Sequence, residues 1–163
     1  MSGSGGPSAP TVPPGTFRID RDGAWRHEGQ EITHPGVLRN LQANLRAEGG
    51  RHFLQVRPSR IDVEVEDTPF VVVRVENASA QPGGAPSLWL HLSDGSEEPL
   101  DPHAVWVDVR GTPYSRVKAG AFTARFAVAA WLQLAPHVEE EPATGGLALV
   151  VGDRRVPLTS RTR

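Results

Sequence analysis

The densest run of chemically capable side chains is Asp62, Glu64, Glu66 and Asp67. In an extended chain successive side chains point to opposite faces, so Asp62, Glu64 and Glu66 share one face and Ile61, Val63 and Val65 the other. Such a row could hold a hard cation, which takes several oxygen ligands, or an arginine-rich partner. The water side of any antiparallel sheet is built the same way, with Arg57, Arg60 or Arg74 available as cross-strand partners, and this structural reading carries more weight. The Glu66-Asp67-Thr68-Pro69 corner is the sharper candidate, because it sits in a loop.

Asp20-Arg-Asp-Gly23 opens like a calcium loop, but Ala24-Trp25 leads straight into a strand with no bidentate carboxylate to follow, so a hairpin turn accounts for it. The six histidines, His27, His34, His52, His91, His103 and His137, show no metal-ligand spacing. Asp101 and His103 are near enough for a carboxylate–imidazole pair. The chain has no cysteine, which excludes disulfides, thiolate chemistry and cysteine-bound zinc. It also has no Gly-x-Ser-x-Gly elbow and no Walker loop. Trp89 and Trp106 fall out of phase with the apolar residues beside them. Leu88, Leu90 and Leu92 take one face of a strand and leave Trp89 and His91 on the other; Val105, Val107 and Val109 do the same to Trp106. An out-of-phase tryptophan is expected to be covered by other parts of the chain or by another molecule, and at least one of the pair is predicted to be accessible and in a ligand or subunit contact.

The 163 residues carry a net charge of −2, with Lys118 the one lysine, so no field draws in nucleic acid or an anionic membrane, and neither is expected as a partner. Met1 to Pro14 has neither a basic nor an apolar leader segment. The longest apolar stretch, Ala121 to Ala135, is interrupted by Thr123, Arg125 and Gln133 and is shorter than the roughly 20 residues of a membrane helix. A cytoplasmic location is the expectation.

These residues need a frame. Residues 1–16 are mostly Gly, Ser, Pro and Ala, a composition that predicts a disordered tail. Asn77 to Ser87 predicts a mobile loop, and Thr159 to Arg163 a frayed basic end. Between them, hairpins are predicted over about Phe17–Glu28 and His52–Val65. A helix is predicted over Pro35–Ala47, started by Thr33 or His34 and ended by Gly49-Gly50. Pro69 to Val75 is apolar enough for a strand covered on both faces. A hairpin over Ala104–Val117, a buried helix over Gly120–Ala135 and a closing hairpin over Leu147–Leu158 complete the pattern. The expected fold is therefore one α+β domain over residues 17–158, made of two ββαββ-like structural repeats of mostly antiparallel strands packed on two helices, the second buried. Repeat one covers about 17–75 and repeat two about 88–158.

Three runs in this order, Phe17-Arg-Ile-Asp-Arg-Asp-Gly-Ala-Trp25 with Gly29, Ile32 and Pro35, then Val63-Glu-Val-Glu-Asp-Thr-Pro-Phe70, then Pro113-Tyr-Ser-Arg-Val117, resemble the bacterial domain of unknown function 1285 family. Asp101-Pro-His-Ala-Val105 and Gly146 to Leu158 are also similar. The resemblance covers roughly Phe17 to Leu158. It implies an α+β fold with repeated motifs and an involvement in signal transduction; it implies no catalytic residues. The chain departs from the family at Ala119, where a polar cap to the second helix is expected, and at Ala129-Ala130, where larger side chains are usual.

Three functions are consistent with these residues. The foremost is a non-enzymatic binding or regulatory module that engages a protein or small ligand through Glu66, Asp67, Pro69, Trp89, His91 and Trp106. The second is a metal-assisted or acid–base enzyme using Asp62, Glu64, Glu66 and Asp67. The third is a homo-oligomeric structural protein joined through Trp89 and Trp106. No catalytic residue, metal or cofactor is specified by the sequence.

Overall fold

The computed structural model describes residues 16–78 and 86–162. The chain divides into two compact units, Met1–Glu66 and Asp67–Arg163, where the sequence pattern predicts one domain. The fold is α+β, rich in strands, with two α-helices among the described residues. No helix among those residues is long and apolar enough to cross a membrane. The tail expected over 1–16 lies outside the described residues except for Thr16, and so does most of the loop expected over 77–87.

The described residues of the first unit form one sheet and one helix. Strands β1 (Phe17–Ile19), β2 (Trp25–His27) and β3 (Gln30–Glu31) precede helix α1 (Pro35–Asn44), and β4 (Leu45–Glu48), β5 (Arg51–Val56) and β6 (Ser59–Val65) follow it. The sheet order is β3-β2-β1-β6-β5-β4, with β1 and β6 parallel and Phe17 opposite Val63. The Asp20–Gly23 segment is a turn. Asp20 Oδ1 accepts from the backbone N–H of Asp22 and Ala24, both at 3.0 Å, and its other oxygen lies 3.3 Å from Arg26 Nε. The helix starts where predicted: His34 Nδ1 accepts from the N–H of Gly36 and Val37, with Pro35 in the first turn. It ends at Asn44, three residues before the predicted Ala47, because Leu45 leaves the helix for β4 and pairs with Leu54. Phe17, Ile19, Trp25, Leu41, Leu45, Leu54 and Val63 form the core.

The described residues of the second unit form a seven-stranded sheet and a three-stranded one. Its strands are β7 (Phe70–Ala78), β8 (Ser87–Leu92), β9 (Glu97–Pro99), β10 (Val105–Asp108), β11 (Pro113–Val117) and β12 (Phe122–Phe126), then helix α2 (Val128–Leu134), β13 (Val138–Glu140), β14 (Leu147–Val151), β15 (Arg154–Pro157) and β16 (Thr159–Arg161). The larger sheet runs β16-β10-β11-β12-β7-β8-β9 and the smaller β13-β14-β15. In β7 the residues from Phe70 to Val72 are buried, as a doubly covered strand requires. A register shift between Val72 and Arg74 then exposes Val73, and Arg74 with it.

Several expectations change here. Of the helix predicted over Gly120–Ala135, residues 122–126 are strand β12, paired with β11 and β7, and only Val128–Leu134 is α-helix. Phe122, Ala124 and Phe126 alternate as a strand does, and the apolar run had hidden that period. The helix is not buried all round. Ala130 and Leu134 face inward, whereas Val128 is 76% and Leu132 65% exposed. Ala119 caps no helix; it lies in the β11–β12 turn with a φ of 56°. Thr159–Arg161, expected to fray, pairs in parallel with β10. Asn77 and Ala78 belong to β7, and Ser87 to β8, rather than to a loop. The two halves do not pair their strands alike. The strands after α1 join the sheet of β1, whereas β13–β15, after α2, make a sheet of their own.

Candidate functional site

The predicted site residues are scattered. Asp62 and Glu64 are exposed on the outer face of β6 and Val63 is buried behind them, which is the alternation of a solvated strand. Glu66 is held in the first unit, accepting from the Arg21 N–H at 3.1 Å and lying 3.5 Å from Arg18 Nη2. Asp67 is turned into the second unit, with a side chain only 4% exposed. It accepts from the Tyr114 hydroxyl at 3.1 and 3.3 Å and lies 3.5 Å from Arg125 Nε. Thr68 and Pro69 are buried as well. Thr68 donates to the Phe70 carbonyl and accepts from the Arg125 N–H. At this corner only Glu66 faces solvent, and a ligand could use Asp67 only by displacing the bonds that fix Tyr114.

Trp89 and His91 lie on one face of β8, half-buried, opposite Leu88, Leu90 and Leu92 as the phase predicted. His91 Nε2 lies 2.8 Å from Glu76, and Nδ1 3.2 Å from Glu97, while Arg74 approaches the ring at 3.1 Å. Both ring nitrogens of His91 thus have polar partners. Trp106 is half-buried too, stacked on Tyr114 at 5.7 Å between ring centres, with the Arg161 guanidinium 4.8 Å from its ring. The Asp101 carboxylate accepts from the backbone N–H of His103, not from its imidazole, and so caps a 3-10 turn. No group of three or more His, Asp or Glu among the described residues could hold a metal ion.

Two further features stand out in the structure. The first is Lys118, which with Ala119 has a left-handed backbone, φ 57° and 56°. Its ammonium binds the Asp94 carboxylate and, at 2.9 Å, the Ser96 hydroxyl; its N–H donates to Glu98. Burial alone would raise the Asp94 carboxyl, but the hydrogen bonds from Lys118 and Ser96 outweigh it and hold the group below its ordinary value. These bonds pin a strained turn in place.

The second is a cleft of about 720 Å³ in the first unit, lined by the end of α1 and by β4, β5 and β6. In the register of this meander, Arg46 stands opposite Phe53 and Gln55 opposite Arg60. Phe53 is thus an aromatic ring on the polar face of the sheet, and Leu54 takes the core side. The Arg60 guanidinium covers that ring at 4.5 Å and lies 3.3 Å from Glu48. Arg46 donates from Nη1 to the Ala43 and Leu45 carbonyls, satisfying the end of α1. Asn44 Nδ2 donates to the Asn40 backbone carbonyl at 2.8 Å and lies 3.4 Å from Asn40 Oδ1. Arg57 completes the lining from the two-residue turn between Val56 and Ser59. Three arginines and three amides face one glutamate there.

Residues 11–68 match a family model described as the N-terminal domain of a domain of unknown function, DUF1285. The structure is similar to that of a DUF1285 family protein from Silicibacter pomeroyi DSS-3, with 25% identity, a TM-score of 0.73, and coverage of 89% of this chain and 80% of that one. It also shares the fold of a DUF1285 family protein from Shewanella baltica OS155, with 19% identity, a TM-score of 0.61, and coverage of 75% of this chain and 91% of that one. No curated protein matches the chain. The resemblance to the DUF1285 family read from the sequence is thereby shown.

Proposed function

We propose that this chain, similar to the DUF1285 family, is a non-enzymatic binding module whose ligand site is the cleft between α1 and β4–β6. The cleft is the observation that carries the reading. Its volume of about 720 Å³ is the size of a small-molecule site, and arginine and amide side chains line it. His91 is occupied by Glu76 and Glu97 and Asp67 by Tyr114, by contrast, and Asp62 and Glu64 face open water. Catalysis by the carboxylates of residues 62–67 therefore has less to support it. A part in bacterial signal transduction, as the family resemblance implies, would follow if occupancy of the cleft changed what the protein binds next.

The test is a thermal-shift screen of the full chain against a metabolite panel, followed by titration of each hit. A ligand at about 100 times its Kd adds about 2.7 kcal/mol of stability. The gain is expected to disappear in Asn44→Leu, which removes a lining amide. If hits bind Asn44→Leu and wild type alike, the site lies elsewhere.

A further inference from the structure

We infer that the ligand of this cleft is a small organic anion bearing a phosphate or carboxylate group, with Arg57 as its principal contact. The inference rests on the binding-module reading and adds the chemical class.

Arg57 is exposed and has no hydrogen bond or ion pair among the described residues. The turn that carries it joins paired Val56 and Ser59, so its position is fixed although its charge is unmatched. Arg60 has a partner, Glu48, but the two side chains are 61% and 70% exposed, and an exposed pair of this kind is weak and readily exchanged. Its guanidinium lies over the Phe53 ring, which leaves the N–H edge open to in-plane acceptors. Arg46 is anchored through Nη1, leaving Nε and Nη2 for a ligand. Planar donor forks on fixed supports suit carboxylate and phosphate oxygens. The chain as a whole has a net charge of −2, so the excess of arginine here is local and selects for an anion at this place. Apolar ligands are disfavoured because the one aromatic ring is already covered by Arg60. The amides Asn40, Asn44 and Gln55 offer both donors and acceptors to the rest of the molecule.

The test is isothermal titration calorimetry on the full chain with inorganic pyrophosphate and with citrate as probes, at low and high salt. At least one probe is expected to bind, more weakly at high salt. Arg57→Ala should weaken it by about tenfold or more, the loss of a charge-assisted hydrogen bond. Arg154→Ala, an exposed arginine of β15 in the other unit, should leave it unchanged. Binding of pyrophosphate alone assigns a phosphate ligand, and of citrate alone a carboxylate. If neither probe binds, or Arg57→Ala binds as wild type does, the inference is overturned. A neutral ligand that loses binding in Asn44→Leu but not in Arg57→Ala would overturn the anion while leaving the binding module standing. Circular dichroism of each variant separates lost binding from lost fold.

Discussion

Tyr114→Phe removes a single oxygen from the second unit and tests whether Asp67 is a structural group rather than a ligand contact. The Tyr114 residue is 3% exposed and the Asp67 side chain 4%, so water cannot replace the bond between them. A hydrogen bond to a charged group contributes about 1.5–3 kcal/mol net. The hydroxyl lies 3.1 and 3.3 Å from the two carboxylate oxygens, longer than the best O–H···O⁻ geometry, which places the loss near the lower end, about 1.5 kcal/mol. With a urea slope of about 2 kcal/mol per molar, the midpoint falls by roughly 0.7 M. Asp67→Ala removes more, since the Arg125 guanidinium at 3.5 Å loses its carboxylate as well, and about 3–5 kcal/mol is expected. The double variant should cost less than the two losses added, by about 1 kcal/mol, because both remove the same bond. Urea unfolding followed by tryptophan emission provides the assay, with Trp106 stacked on Tyr114 as a nearby reporter. A Tyr114→Phe midpoint within about 0.2 M of wild type, or strict additivity in the double variant, would refute the reasoning and return Asp67 to the list of ligand contacts.

Phe126 is 3% exposed in β12 and meets Trp131 edge-on at 6.3 Å, so Phe126→Ala should cost about 3–5 kcal/mol and unfold much of the second unit; a near-native circular dichroism melt would count against it. Asp94 is held below its ordinary value in the folded state, so its contribution is present above about pH 4 and lost as pH falls through the lower folded value. Asp94→Asn should flatten that acid limb of stability in urea titrations, and an unchanged limb would show that the Lys118 pair contributes nothing. Gly120 has a φ of 83° with open space where a Cβ would go, so Gly120→Ala should destabilise by about 1–2 kcal/mol from backbone strain alone, and a neutral result in chemical denaturation would contradict the left-handed turn.

Where local chemistry acts alone, the sequence predicted the structure well. Asp20, Gly23, His34 and Pro35 each work through their own backbone neighbours, and the turn and helix start formed where these residues stand. Period-two phase held in β8, where Leu88, Leu90 and Leu92 are buried and Trp89 and His91 are not, but not beside Trp106, where Val107 is half-buried and Val109 lies past the end of β10 and is 71% exposed. The failures come where two periods compete. Ala121 to Ala135 contains enough apolar residues to satisfy a helix at any offset, and only pairing with β11 and β7 makes residues 122–126 a strand. Parallel pairing of β16 with β10 brings together residues more than fifty positions apart, and neither strand carries a mark of the other.

The cleft was hidden for a related reason. Each of its residues has an ordinary local explanation: a helix-end arginine in Arg46, solvated strand residues in Glu48 and Arg60, a turn residue in Arg57. One signal was available. His52-Phe53-Leu54 places two large apolar residues side by side in a strand, and two neighbours cannot share a face, so one of them must stand on the polar side. Beside Trp89, His91 is held by Glu76, Glu97 and Arg74, and the Trp106 ring is faced by Arg161. At Phe53 the out-of-phase ring is covered by an arginine whose charge is only loosely held, beside a second arginine held by nothing. On the proposed reading, an out-of-phase aromatic residue marks a ligand site only when the charges around it are left unmatched, and that balance depends on which strands are neighbours.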